Sequence, residues 1–293
     1  MPRPSITLIA GPTASGKSRL ALEIAARTGA AIVNADSQQL YADLRILTAR
    51  PSPEEEAQAP HHLYGTVDAA EAWSVGRWSR AVMPLLETLR AEGRPALIVG
   101  GTGLYFNALI KGLADIPGVP MEAREEATAL YDTEGEAAFR LRLTTFDPPA
   151  EAAIEAGDRQ RLTRAYAVAR ATGRSLSDWR ASTRPLLEPG TYDRRVIEPD
   201  RTALYAACDA RVVTMLKTGA LDEVRALSAR GLEPALPAMK AVGVRELAAH
   251  LAGDLTLAEA TVALQQATRN YAKRQLTWFR NQCADWPRHR PEG

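Results

Sequence analysis

An apolar run from Ile6 to Ala10 opens directly onto Gly11-Pro12-Thr13-Ala14-Ser15-Gly16-Lys17-Ser18. The spacing G-x-x-x-x-G-K-S constrains this chain more than any other segment, because a loop of that form between a strand and a helix grips phosphate. Its glycines let the backbone turn tightly and point successive N–H groups inward. Lys17 adds a point charge, and the helix that follows offers its positive end to the anion. Ser18 is then placed to ligate magnesium. The same letters also describe a glycine turn with a solvated lysine, but the flanking strand and helix favour a phosphate site. Taken alone, the loop has ATP as its default occupant and does not say what happens to the phosphate.

Size and charge narrow the context. At 293 residues the chain can bury a large core, in one big domain or in a domain carrying an insertion. Its 36 basic and 35 acidic residues nearly cancel to a formal +1, so a nucleic-acid site has to be a local patch. Cys208 and Cys283 lie far apart and form no C-x-x-C. That speaks against a disulfide framework or a zinc site and fits a reducing cytoplasm. Met1-Pro2-Arg3-Pro4-Ser5 runs into a strand without the apolar length of a signal peptide, and no later stretch approaches membrane-spanning length. A soluble cytoplasmic monomer with no membrane partner is expected.

Residues 5–11, 30–36 and 95–101 read as short buried strands, alternating with helix-period segments near 18–28 and 74–92. The fold class is α/β: a P-loop NTPase-like parallel sheet flanked by helices. In such sheets ligands collect beyond the carboxyl ends of the strands. The phosphate loop, Asp36-Ser37 and Gly100-Gly101-Thr102-Gly103 all fall there and are expected to converge. From about Leu113 the texture turns helical and arginine-bearing, then gives way to a proline- and glycine-rich loop before a strand at Val196-Ile197. This divides the chain into a catalytic core, 1–112 and 191–293, and an all-helical insertion, 113–190. The C-terminal remainder reads as helical, with breaks at Gly219, Gly231 and Gly253.

Asp36 should emerge at the ligand end of the sheet, as a general base, a magnesium partner or simply a turn cap. Thr102 sits among glycines that allow a bound molecule close to the backbone, and its hydroxyl either faces that molecule or caps the next helix. Near the C-terminus Arg269, Lys273 and Arg280 share one helix face, opposite Leu264, Tyr271 and Trp278. Arg159, Arg161 and Arg164 repeat a basic face in the insertion, with Asp158 as a cap and Leu162 and Tyr166 to pack. Each face is either solvated or meets nucleic acid, and two such faces suggest a clamp. His61 and His62 precede an expected strand and point oppositely, so they make no metal site.

Four segments together closely resemble the tRNA dimethylallyltransferases, also called tRNA isopentenyltransferases. They are the phosphate loop, Asp36-Ser37-Gln38-Gln39-Leu40-Tyr41, Thr48-Ala49-Arg50-Pro51-Ser52 and Val99-Gly100-Gly101-Thr102-Gly103-Leu104-Tyr105. Further matches are Asp158 to Ala165, Arg211 with Met215 and Gly219, Glu223-Val224, Ala241-Val242-Gly243 with Glu246, and Lys273-Arg274-Gln275-Leu276-Thr277-Trp278-Phe279-Arg280. The likeness spans nearly the whole chain. It implies transfer of a dimethylallyl group from dimethylallyl diphosphate to N6 of the adenine 3′ of the anticodon, in tRNAs reading codons that begin with U. Pyrophosphate leaves and no ATP is consumed.

By that resemblance the loop from Gly11 to Ser18 holds the donor diphosphate, with Mg2+ on Ser18 and Arg211 reaching the same group. Asp36 accepts a proton from the adenine amine, and Thr102 hydrogen-bonds the bridging oxygen of the donor. The tRNA anticodon stem-loop would meet Asp36, Ser37, Gln38, Gln39, Thr102, Arg124, Gln160, Arg161, Leu162, Thr163 and Arg164. In the C-terminal part it would meet Lys240, Gly243, Arg245, Lys273, Arg274, Gln275, Thr277, Trp278 and Arg280. The target base would be flipped into a channel from the side opposite the diphosphate, and the insertion would act as a mobile clamp. The chain departs from the family pattern at Leu47, usually glycine, at Arg50, usually lysine, and at Val244, usually tyrosine. A phosphate-loop kinase, a non-catalytic RNA-binding protein and a prenyltransferase of free adenine nucleotides are the rival readings.

Overall fold

Apolar side chains occur at consecutive positions of the central strands, so the sheet has to be covered on both faces. In the computed structural model, which describes residues 5–291, it is covered in that way. The residues 1–4, on which the expectation of no leader partly rested, lie outside the described residues. Two compact units form: residues 1–110 with 187–293, and residues 111–186.

The first unit begins β1 (Ile6–Ala10), α1 (Lys17–Thr28), β2 (Ala31–Asn34), α2 (Pro53–Glu56), β3 (His61–His62), α3 (Val75–Ala91), β4 (Ala96–Gly100) and α4 (Gly103–Lys111). The second unit is helical: α5 (Met121–Phe146), α6 (Pro148–Ala153), α7 (Arg159–Thr172) and α8 (Leu176–Ala181). Helix α5 is broken at Gly135, where φ is 77° and ψ 167°. Phe139, Leu143, Leu162, Ala165 and Val168 form the core of this unit. The chain then returns to the first unit as β5 (Tyr192–Ile197), α9 (Arg201–Lys217), α10 (Ala220–Ala229), α11 (Val244–Ala252), α12 (Leu257–Gln282) and β6 (Arg288–His289).

All pairings are parallel, in the order β3-β2-β4-β1-β5-β6. Residues expected to be a single returning strand at Val196-Ile197 therefore extend a sheet that gains a further edge strand, β6, at a position with no strand-like apolar run. His61 and His62, expected to precede a strand, are themselves β3. Strand alternation divides the core. Leu8, Val33, Ile98 and Val196 face the large cluster built with α3, α4 and the C-terminal helices. Ile9, Ile32, Leu97, Val99 and Ile197 face the opposite cluster under α1.

The carboxyl ends of β2 and β4 approach each other closely. A Cβ on Gly100 would stand 2.0 Å from the Ala35 carbonyl oxygen, and Thr102 N–H donates to that same oxygen at 3.2 Å. Gly100 is thus what lets the Asp36 turn and the Thr102 turn sit side by side. Gly100→Ala should lower the urea unfolding free energy by about 3 kcal/mol or more, through backbone displacement. Gly29→Ala, where φ is 68° but no neighbour lies within 4 Å, should cost only about 1–2 kcal/mol of backbone strain. Equal losses for the two would contradict this packing.

Candidate active site

The phosphate loop is fastened at its Thr13 corner by two distant side chains. Thr13 N–H donates to Gln275 Oε1 at 2.8 Å, and Arg211 Nη1 donates to Thr13 Oγ at 2.8 Å. These contacts hold a bend in which Ala14 takes φ 61° and Gly16 takes φ 82°, the first of them strained for a residue with a side chain. Lys17 Nζ, almost fully buried, donates to the Pro12 carbonyl at 3.1 Å. Burial pulls its pKa down to about 8, with Asp36 opposing and Arg211 assisting. Ser15 Oγ is buried with no hydrogen-bond partner. A loop that buries a cation and leaves a hydroxyl orphaned is built to receive an anion.

Asp36 faces this loop from β2. Asn34, fully buried, accepts from Asp36 N–H at 2.7 Å and donates to the Asp36 and Leu63 carbonyls at 3.0 and 2.9 Å. Trp78 Nε1 fixes the Asn34 carbonyl at 2.9 Å. Asp36 Oδ1 accepts from Gln38 N–H at 3.0 Å, so the turn-capping role considered from sequence coexists with a carboxylate in the cavity. Thr102 Oγ accepts from Ser37 N–H at 2.9 Å and lies 3.2 Å from Ser37 Oγ. Its hydroxyl belongs to the Asp36 turn more than to the helix that follows.

Thr13, Lys17, Ser18, Asp36, Arg211 and Tyr271 line one small cavity of about 40 Å³. An adjoining cavity of about 180 Å³ shares Ser18 and Arg211 and adds apolar walls at Ala21, Leu22, Ile32, Tyr64 and Val99. The Arg211 guanidinium is drawn below its ordinary pKa by burial, so it too awaits a counter-ion. The phenols of Tyr64, Tyr105 and Tyr271 are pushed up, by burial first and by the Asp36 charge next, and stay protonated. The larger hollow of about 800 Å³, edged by Arg27, Arg90, Arg94 and Arg195, lies at the other end of the strands and contains none of these groups.

No group of three or more His, Cys, Asp or Glu among the described residues could hold a metal ion. The site does offer hard oxygens, the solvent-facing Ser18 hydroxyl and the Asp36 carboxylate, beside a place for phosphate oxygens. That set suits a cation such as Mg2+, which keeps several waters and binds through one or two protein oxygens together with phosphates.

Several residues have functions that the letters did not reveal. Tyr271, expected to pack away from the basic face, lines the cavity beside Thr102. Glu223 accepts the N–H groups of Arg45, Ile46 and Leu47 at 2.5, 2.9 and 2.8 Å, and Gln39 Nε2 holds the Thr48 and Ala49 carbonyls at 2.9 Å. These bonds fix the loop that brings Leu47 and Thr48 to the cavity wall. Arg50 lies under Gly65, where a Cβ would meet its guanidinium at 1.8 Å, and donates to the Tyr41 carbonyl at 3.0 Å. The bond from Asn34 to the Leu63 carbonyl and the place of Tyr271 in the cavity wall depend on partners distant in sequence, so neither leaves a local signal.

Of the residues expected to face RNA, Lys240, Arg245, Lys273, Arg274, Thr277 and Arg280 are exposed, as are Arg124, Gln160, Arg161 and Arg164 in the second unit. Ser37, Thr163 and Trp278 are half-buried. Gln38 is also half-buried and uses its Oε1 to accept from Val242 N–H at 3.3 Å. Three more have no side-chain surface free for RNA. Leu162 is fully buried in the core of its unit and has no side-chain surface to offer. Gly243 turns the chain at φ 100° in a space closed by Leu47 and Leu264, where a Cβ would come within 2.8 Å of either side chain. Gln275 is buried, and both ends of its amide are bonded inside the protein. The C-terminal basic face is also more neutralised than its spacing implied: Arg269 pairs with Asp209, and Arg280 with Glu198. In the second unit Arg159 pairs with Asp132 and Arg161 with Asp158, whereas Arg164 is held below its ordinary pKa by burial and by the neighbouring Arg124 charge. The glycines of the Thr102 loop admit protein and not ligand. A Cβ on Gly101 would lie 2.2 Å from Gln275 Nε2, and one on Gly103 2.2 Å from the Trp278 ring.

The family model described as IPP transferase matches residues 39–282, and one described as isopentenyl transferase matches residues 4–65. A tRNA dimethylallyltransferase from a Caulobacter species is 60% identical over 288 residues, covering 98% of this chain and 93% of that protein. The chain belongs to the IPP transferase family. Another relative, the tRNA dimethylallyltransferase of Phenylobacterium zucineum, is 60% identical over 97% of this chain and 92% of its own length. Among solved structures, the tRNA isopentenylpyrophosphate transferase of Bacillus halodurans is 33% identical, with a TM-score of 0.68 over 97% of this chain and 89% of its own. A eukaryotic dimethylallyltransferase acting on tRNA shares the fold at a TM-score of 0.82, with 24% identity over 97% of this chain and 73% of its own.

The Lys17 ammonium in this IPP transferase is a native-state cost. Its folded pKa of about 8 lies below the ordinary 10.5, so between those values the unfolded chain holds more protons and stability rises with pH. Lys17→Met should therefore raise the unfolding free energy at pH 7 by roughly 1–3 kcal/mol. The gain should shrink as the pH climbs through that interval. Urea melts at several pH values check it, and a variant less stable than the parent at pH 7 would contradict the burial argument.

Proposed function

We propose that this chain transfers the dimethylallyl group of dimethylallyl diphosphate to N6 of the adenine 3′-adjacent to the anticodon, in tRNAs that read codons beginning with U. The observation that carries the reading is the meeting of Lys17, Arg211 and Asp36 in one cavity: two desolvated cations for a departing diphosphate, beside a buried carboxylate that can accept a proton.

The adenine N6 lone pair forms a bond to C1 of the donor as the C1–O bond breaks, and the electron pair leaves with pyrophosphate. The amine then loses one proton, which the Asp36 carboxylate accepts. Burial of Lys17 and Arg211 strengthens their attraction for the charge that gathers on the leaving oxygen, because little solvent screens it. Thr102, bonded to Ser37, stands next to Asp36 to orient the reacting groups, and the second cavity offers the dimethylallyl group apolar walls at Ala21, Leu22, Ile32 and Val99. Ser18, with Asp36 nearby, would hold Mg2+, which supplies further positive charge to the diphosphate when bound.

RNA is met by exposed cations. Lys240, Arg245, Lys273 and Arg274 surround the α11–α12 surface of the first unit, and Arg124 with Arg164 offers a paired positive site on the second. No helix among the described residues is long and apolar enough to cross a membrane.

Incubation with labelled dimethylallyl diphosphate should label an unmodified tRNA carrying adenine after the anticodon and leave AMP and ATP unlabelled. Asp36→Ala should lower kcat by about 10²- to 10⁴-fold with donor affinity nearly unchanged. Absence of label on tRNA, or a loss confined to KM, would overturn the reading or the role of Asp36 respectively.

A further inference from the structure

Helix α12 presents Lys273, Arg274 and Thr277 to solvent, and Gln275 lies between them in sequence but is buried. Its amide bridges two loops of the active site. Oε1 accepts from Thr13 N–H at 2.8 Å, and Nε2 donates to the Gly101 carbonyl at 3.0 Å. Gly101 has no side chain in the one place where a Cβ would stand 2.2 Å from that nitrogen and 3.2 Å from Asp36 Oδ2. The bridge therefore joins the corner of the phosphate loop to the residue preceding Thr102.

A glutamine is chemically required at this place. The site needs one acceptor and one donor at the end of a side chain of this length, since both loop groups are main-chain atoms that would otherwise be left unbonded. Glutamate keeps the acceptor but sets a second oxygen against the Gly101 carbonyl and the Asp36 carboxylate. Methionine fills the space and bonds neither. Arg211 reaches Thr13 only through its hydroxyl, so it does not replace the bond to the amide.

The geometry points to Gln275 as a positioning residue that sets the distance between the diphosphate loop and the Asp36–Thr102 side of the reaction, and not as an RNA contact. This rests on the proposed transfer reaction, with the leaving group at Thr13 to Ser18 and the proton acceptor at Asp36. Gln275 touches neither reacting group and acts through Thr13 and Gly101.

Q275M and Q275E test it, with thermal melting to establish that each is folded and K273A as the contrasting variant. Both Gln275 variants should lose on the order of 10²-fold in single-turnover rate at saturating tRNA, the scale expected of a small misplacement of reacting groups. They should also bind inorganic pyrophosphate at least about 10-fold more weakly, while tRNA affinity and its salt dependence stay within about twofold of the parent. K273A should show the reverse, weaker tRNA binding with the pyrophosphate affinity intact. Weaker tRNA binding by folded Q275M with an unchanged transfer rate would make Gln275 an RNA contact and overturn the proposal, as would no change in any readout. Pyrophosphate binding is measured without transfer, so a parent enzyme that fails to label tRNA would sink the function while leaving the Gln275 test standing.

Discussion

A buried ammonium facing its own loop carbonyl is the constraint on which the rest of the site depends. Lys17 is almost fully enclosed, donates to Pro12 and has its pKa pulled down to about 8. A cation placed so deeply is unfavourable until an anion joins it, and that unfavourable energy favours a strongly charged anion at the loop. The surrounding structure maintains this arrangement against relaxation. Arg211 from α9 and Gln275 from α12 hold Thr13, so the loop cannot open to give Lys17 water without breaking bonds to two helices.

The second constraint is the closeness of two turns. Gly100 lets β4 end against the Ala35 carbonyl, and the hydroxyl of Thr102 then reaches Ser37. On the other side Gly101 and Gly103 make room for Gln275 and Trp278 of α12. The glycine-rich segment is a packing device that brings a long C-terminal helix against the acceptor side of the site. One helix consequently offers cations outward and lines the cavity inward, so the proposed RNA surface and the proposed donor site share an element.

Much of this was legible in the sequence. The phosphate loop announced itself through two glycines and a lysine at fixed spacing, and the strands through short β-branched runs that alternate between the clusters headed by Leu8 and Ile9. Asp36 and Thr102 were recognisable from their place after strands. What escaped was whatever depends on side chains meeting across long separations. Asn34 reads as the end of a strand, and only the fold shows it bonded to the main chain of Leu63. Heptad spacing put Tyr271 on a packing face, correctly, but the surface it packs beside is the cavity. Gln275 sat among residues of an RNA-facing motif and turned inward because helical geometry separates neighbours by about 100°. Edge strand β6 is two residues long and held by the pairing of Val196 with Arg288, a contact no local pattern encodes.

The most direct test of the central claim is the proton balance of diphosphate binding. With Lys17 near pKa 8 in the ligand-free protein, much of it is neutral at pH 8.5, and an anion alongside restores the ammonium. Calorimetric titration with pyrophosphate at pH 8.5, in two buffers of different ionisation enthalpy, should register uptake of more than about half a proton by the protein once the proton that bound pyrophosphate itself gives up is subtracted. The uptake should fall toward zero at pH 6.5. Binding without proton uptake at pH 8.5 would mean that Lys17 is already charged in the empty loop, and the account of a desolvated cation awaiting its diphosphate would be wrong.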